Sequence, residues 1–166
     1  MRTTITAVVL LIMAAAAQGL YPSTLMVQGV KPDLILVVLI WASLRADPIT
    51  GALLGFLAGL LHGTIVGMRL GTFIATRTIG GFLAGTVTVR VFGDNPVVPI
   101  VAAFSLTVVV QSLFLLISPV AGLVSSFRVI LIEAGYNSVL VFVLTLLSAQ
   151  IRLHRRIRLA QDRFRA

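Results

Sequence analysis

Four polar side chains interrupt long apolar segments of this 166-residue sequence: His62, Arg77, Glu133 and Asn137. An arginine at the centre of a membrane costs about 2.5–3.5 kcal/mol on insertion scales, so it needs a partner or water. Glu133 is the natural partner for Arg77, and their contact would join the fourth and the last apolar segments. His62 and Asn137 would add hydrogen bonds, since Asn137 follows Glu133 by four residues and shares its helix face.

Two other interpretations of these charges stay open. Arg77 lies only a turn or two from the start of its segment, so its side chain can extend to the membrane surface, and Glu133 can reach the same layer. Ionisable residues inside a membrane also mark proton or ion pathways. One arginine, one glutamate and one histidine are too few for a relay, however. His62 by itself is more typical of a hydrogen-bonded interior histidine than of a metal ligand.

Asp33 is a further candidate because it directly follows Lys31 and Pro32. Proline suits the first position of a helix, and the helix dipole favours a carboxylate in the first turn. The apolar part that follows, 34–44, is shorter than the roughly 20 residues of a perpendicular span. Either the helix starts near residue 25 and Asp33 is a cap at a kink, or Asp33 lies below the membrane surface and is functional. We favour the cap.

No group of residues in the sequence has the spacing of a catalytic site. There is no His-Glu-x-x-His, no Gly-x-Ser-x-Gly and no phosphate-binding glycine loop that ends in lysine. The absence of cysteine excludes disulfides and thiolate chemistry, and two histidines with five acidic residues leave few metal ligands. We expect no enzymatic activity and no cofactor.

The composition predicts an all-α integral membrane protein. Hydrophobic residues make up 58% of the chain and charged residues only 11%, against roughly 25% charged residues in soluble domains. The net charge of +8 comes mainly from basic residues in loops and in the tail. Membrane topology and anionic lipids account for them there, so we expect no binding to nucleic acid.

The apolar segments predict a bundle of about six transmembrane helices, at about 3–20, 25–44, 48–66, 72–91, 97–117 and 127–151. We interpret the first as a retained span rather than a signal peptide. Nine basic residues lie on the side of the termini and three on the other, which places both termini in the cytoplasm. Residues 152–166 form a basic cytoplasmic tail, expected to contact anionic lipid or an acidic partner through Arg152, Arg155, Arg156 and Arg158.

The third segment has glycine at every fourth position: Gly51, Gly55, Gly59, Gly63 and Gly67. In a soluble helix each would cost about 1 kcal/mol relative to alanine. In lipid, small residues four apart allow two helices to approach closely, so we expect a helix-packing groove. Whether it faces a helix of this chain or a partner protein is open. In the fourth segment Gly81 and Gly85 share a side with Arg77, which is therefore expected to point inward.

The order of these motifs resembles the MreD family, the rod shape-determining membrane proteins of the bacterial cell-elongation machinery. The resemblance covers nearly the whole chain, and its motifs consist mostly of small and apolar residues. They are Pro32-Asp33, then Gly51-x-x-x-Gly55-Phe56-x-x-Gly59-Leu60-x-x-Gly63, then Glu133-x-x-Tyr136-Asn137. His62 departs from the pattern, because the family commonly has an acidic residue after the Gly-Leu pair.

The resemblance implies a bundle similar to the substrate-binding subunits of energy-coupling-factor vitamin transporters, in the bacterial inner membrane. It also implies a non-enzymatic scaffold that binds MreC and links MreB to RodA and a penicillin-binding transpeptidase. The alternative is a substrate-binding subunit of such a transporter, which the shared fold keeps open. We favour the scaffold, because the single tryptophan, Trp41, lies near the cytoplasmic end of its segment and only two tyrosines occur.

Overall fold

The computed structural model describes residues 2–22, 24, 26–87, 97–119 and 123–163, which form six helices. These are α1 (Arg2–Gly19), α2 (Leu34–Ser43), α3 (Pro48–Val66), α4 (Leu70–Thr86), α5 (Val97–Ile117) and α6 (Leu123–Arg163). Extended pairing in this part of the chain is confined to one bridge between Val27 and Val30. The prediction of an all-helical protein is confirmed.

Three of the helices contain a segment long and apolar enough to cross a membrane. These segments are Pro48–Val66, Val97–Ile117 and Ser126–Ile151. Two further apolar helices, Thr4–Gly19 and Leu34–Ser43, are shorter. Length and composition are therefore compatible with a membrane protein. Among the described residues three helices meet both criteria for a span, and the number of six spans stays a prediction.

Helix α2 lies at the centre of the bundle and contacts all five other helices. Its residues 35–40 are all buried, which is expected of a helix that is apolar on every side. The helix that was expected near residue 25 begins at Leu34 instead. Gln28 and Gly29 adopt positive φ angles of 52° and 78°, which interrupt a right-handed helix, and Pro32 disfavours helical geometry in the residue before it.

The glycine row of α3 packs against α4 of the same chain. A Cβ atom added at Gly59 would lie 2.5 Å from the Ile74 Cα atom, and one at Gly51 or Gly55 would meet backbone carbonyl groups of α4. Gly63 is similarly close to the start of α4. The groove therefore holds a helix of this chain, which decides between the two possibilities left open by the sequence.

Gly67 is not part of this groove. Helix α3 ends at Val66, and Gly67 follows it in the left-handed conformation with φ of 72°. Its N–H donates to the Gly63 carbonyl oxygen at 2.9 Å, and a Cβ there would meet nothing within 4 Å. Gly67 keeps the fourth-residue spacing but acts as the C-terminal cap, a position that favours glycine.

Two predicted helix boundaries also differ. Helix α4 covers Leu70–Thr86 rather than 72–91, and 88–96 lie outside the described residues. Helix α6 continues without a break through the predicted boundary at 151 to Arg163, so the tail extends this helix. The tail side chains expected to contact lipid lie outside the described part of the structure: Arg152, Arg155, Arg156 and Arg158.

Candidate functional site

A cleft of about 380 Å³ lies at the end of the bundle where α3 ends and α4 begins. Each of the six described helices, or its N-cap, contributes a polar side chain to the cleft wall. In chain order these are Gln18, Asp33, His62, Arg77, Gln111 and Glu133. We refer to these six residues as the polar cluster.

Asp33 is held at the inner end of the cleft because it caps the central helix. Its Oδ1 atom accepts a hydrogen bond from the Leu36 N–H at 2.9 Å, and its own N–H donates to Asn137 Oδ1 at 3.1 Å. Only 3% of Asp33 is exposed. Asp33 therefore combines the two roles that the sequence presented as alternatives: it caps a helix and it lies inside the bundle.

Arg77 is the most buried member of the polar cluster, with 1% of the residue exposed. Its Nη2 atom donates to Asp33 Oδ2 and lies 2.8 Å from His62 Nδ1. Its guanidinium also lies over the Phe73 ring, 4.6 Å from the ring centre. Arg77 points inward, as the small-residue face predicted, so it does not extend to the membrane surface.

The predicted partner of Arg77 was Glu133, and this prediction is wrong. Asp33 takes that place because the cap of α2 brings its carboxylate to the centre of the bundle, beside α4. Glu133 is held elsewhere: its Oε1 atom accepts from Gln111 Nε2 at 2.6 Å. The sequence favoured Asp33 as a helix cap and Glu133 as the partner of Arg77, and sequence spacing does not indicate which carboxylate α4 faces.

His62 is an interior histidine enclosed by an aromatic ring and an ion pair. Its ring stacks on Phe73 with centroids 4.5 Å apart and an interplanar angle of 16°. Its Nδ1 atom lies 3.4 Å from Asp33 Oδ1 as well as near Arg77. Nδ1 accepts from Arg77 in one tautomer and donates to Asp33 in the other, so His62 supports the pair in either form.

Sequence reasoning missed Gln18 and Thr107 and gave Gln111 no role in the site. Gln18 donates to the Pro32 carbonyl oxygen at 3.1 Å and accepts from the Leu34 N–H at 2.8 Å, which fixes the entry to α2. Thr107 accepts from Asn137 at 3.4 Å. Gln18 and Gln111 are amide side chains in largely apolar helices, and that isolation is the signal that could have identified them.

The guanidinium of Arg77 has more donors than the cluster satisfies. Its Nε and Nη1 atoms are buried and have no hydrogen-bond partner. Buried donors without acceptors cost about 1–3 kcal/mol each, and more when charged. Arg77 is also one of the residues that line the cleft.

The polar cluster holds a buried ion pair beside a cleft, an arrangement that suits the binding of a polar or charged group. Within the described ranges, no three His, Cys, Asp or Glu side chains are grouped so that they could hold a metal ion. No family model, curated protein or solved structure matches this chain. The polar cluster, the helix surfaces and the order of its motifs are the features that bear on its function.

Proposed function

We propose that this chain is a non-enzymatic, multi-pass scaffold of the bacterial cell-elongation complex in the inner membrane. In this role it binds MreC and thereby links MreB to RodA and a penicillin-binding transpeptidase. Both termini lie in the cytoplasm, and the six helices form a bundle similar to the substrate-binding subunits of energy-coupling-factor transporters. The order of motifs that resembles the MreD family supports this proposal.

The structural observation that supports a scaffold is the outer face of α3. While its glycines are buried against α4, α3 exposes an apolar stripe at Leu53, Phe56, Leu57 and Leu60. Because the glycine groove is filled by α4, a partner helix would have to pack on an outer surface of this kind. The spacing of three and four residues matches one face of a helix.

A second candidate is the substrate-binding subunit of an energy-coupling-factor-type vitamin transporter. The observation that favours it is the cleft, which combines buried charges with the aromatic side chains of Phe73 and Phe114. Small-molecule sites are typically concave and largely apolar, with a few convergent polar groups.

The two proposed functions predict different partner proteins in the native membrane, and this difference distinguishes them. The protein is tagged at its native locus, crosslinked in intact membranes, purified, and its partners are identified by mass spectrometry. We expect a single-span periplasmic coiled-coil protein together with a polysaccharide polymerase and its transpeptidase. Recovery of a coupling membrane protein with two ATPases would instead establish the transporter subunit.

A further inference from the structure

The cleft has no part in the scaffold proposal, yet it is built like a ligand site. Its volume of about 380 Å³ is near the lower end of the range of roughly 300–1,000 Å³ for small-molecule pockets. Apolar side chains line it beside the polar cluster: Val30, Phe73, Phe114 and Val129. The size and lining suit a small polar molecule or a lipid headgroup.

The cationic part of the lining suits an anionic oxygen group. Arg77 has two buried nitrogen atoms without acceptors, and the planar guanidinium fork matches carboxylate and phosphate oxygens. Lys31 adds a second cation to the wall. It is exposed and forms no ion pair within the described part of the chain. A carboxylate or phosphate in the cleft would therefore find two cationic groups.

Glu133 supplies the opposite charge. It is buried, lines the cleft and is hydrogen-bonded to Gln111 and Asn137. Arg77 attracts it electrostatically, but the described residues contain no cation in direct ion-pair contact with it. A buried carboxylate without a direct ion pair is stabilised by a positive group that a ligand brings beside it.

The charge balance distinguishes between kinds of ligand. The lining carries two cations, Lys31 and Arg77, and two carboxylates, Asp33 and Glu133. A ligand with a net charge would leave an excess charge beside the buried side chains of Arg77, Asp33 and Glu133, which is costly at low dielectric. A ligand that carries one charge of each sign keeps the balance.

We propose that this cleft binds a small zwitterion, whose anionic oxygens contact Arg77 and Lys31 and whose ammonium contacts Glu133. An ethanolamine phosphate group has this chemistry, either as the headgroup of a phospholipid or as a free solute. The site is independent of the scaffold proposal, since it concerns an end of the bundle rather than its outer faces. Failure to recover elongation partners would leave it intact, and failure of ligand binding would leave the scaffold intact.

The test uses the full chain, purified and delipidated in detergent, and measures binding by native mass spectrometry and calorimetry. The probes are dioleoyl phosphatidylethanolamine, its water-soluble analogue glycerophosphoethanolamine, and dioleoyl phosphatidylglycerol as an anionic comparison. We expect a zwitterionic probe to bind, and Glu133→Gln and Lys31→Gln each to weaken its binding at least tenfold. Glu133→Gln preserves size and hydrogen bonding, and circular dichroism melting verifies that each variant is folded.

Arg69→Gln is the matched control, because it removes an exposed cation near the same end that does not line the cleft. Binding of the lipid with this dependence on Lys31 and Glu133 identifies a membrane source. Binding of the soluble analogue but not the lipid identifies a free solute, and the zwitterion site stands in both cases. The proposal is overturned if neither zwitterionic probe binds the folded protein. Equal binding of phosphatidylglycerol, or unchanged affinity in Glu133→Gln, also overturns it.

Discussion

Removal of the Asp33 carboxylate should destabilise the bundle more than removal of any other single helix cap. Asp33→Ala has two separable effects, because Asp33 accepts from the Leu36 N–H and pairs with Arg77. Asp33→Asn retains an oxygen for Leu36 but removes the charge. The two substitutions therefore separate the cap from the ion pair.

The expected magnitude follows from the burial of the pair. Only 1% of Arg77 is exposed, and removal of one partner of a buried ion pair costs about 3–5 kcal/mol because the other charge is left uncompensated. Loss of the cap adds about 1 kcal/mol. Asp33→Ala should therefore lower the free energy of unfolding more than Asp33→Asn does, by approximately the contribution of the cap.

The assay is unfolding of the purified protein in mild detergent by titration with sodium dodecyl sulfate, followed by tryptophan fluorescence. Trp41 is the only tryptophan and lies on α2, so it reports on the helix that Asp33 caps. Asp47→Ala is the control, since Asp47 caps α3 through the N–H groups of Ile49 and Thr50 but is exposed. The double variant Asp33→Ala/Arg77→Ala should lose about 0.5–3 kcal/mol less than the sum of the two single variants.

Two results would refute this reasoning. One is a loss in Asp33→Ala no larger than the loss in Asp47→Ala, which would mean that Asp33 contributes only as a cap. The other is strict additivity in the double variant, which would mean that Asp33 and Arg77 do not stabilise each other.

Three further predictions concern other parts of the fold. Gly55→Ala should cost about 1–3 kcal/mol through overpacking against α4, whereas Gly71→Ala should cost nothing because its Cβ meets open space; detergent unfolding measures both, and equal losses would contradict the groove. Hydrogen bonds from Thr50 hold the pKa of Asp47 below its usual range. The ionised Asp47 side chain therefore stabilises the folded protein fully above the pKa of about 3.9 in the unfolded chain. This stabilisation is lost as the pH falls through the lower pKa of Asp47 in the folded protein. The difference in melting temperature between wild type and Asp47→Asn should therefore shrink as the pH falls below about 3.9. A difference that stays constant with pH would disprove a stabilising role of the Asp47 charge. Spin labels in residues 152–163 should be immobilised on vesicles that contain phosphatidylglycerol, and a tail that stays mobile there would exclude contact with anionic lipid.

The sequence predicted the long apolar helices well, because their boundaries depend on local signals. Helix α3 begins at Pro48 and ends before Gly67, and α5 covers Val97–Ile117, both as predicted. Proline at the first turn and glycine after the last turn are signals that act within a few residues. The partner of the glycine row could not be predicted, because fourth-residue spacing shows that a helix packs there but not which one.

Four of the six members of the polar cluster were predicted from the sequence, but their connectivity was not. Asp33, His62, Arg77 and Glu133 were all identified as candidates, because each is an ionisable residue in or beside an apolar segment. The ion pair depends on how far each side chain lies along the bundle axis, and that depth follows from helix length. Because α2 was expected to start near residue 25, Asp33 was interpreted as a cap at a kink, and its position inside the bundle was not the favoured alternative.

The shortness of α2 explains why this bundle needs a buried charge pair. Ten residues of α-helix extend only about 15 Å, about half the roughly 30 Å of a bilayer core. Because α2 is surrounded by the other helices, its first N–H groups require an acceptor within the bundle, and Asp33 provides one. The carboxylate in turn needs a cation, which Arg77 provides.

The glycines of α3 bring that cation into position. A Cβ at Gly55 would collide with the backbone of Arg77 itself, so the absence of a side chain there allows α4 to approach at the level of its charge. His62, two turns further along α3, then reaches the same guanidinium. The polar cluster therefore depends on the glycine row, because the close packing of α3 on α4 sets the depth in the bundle at which Arg77 meets Asp33.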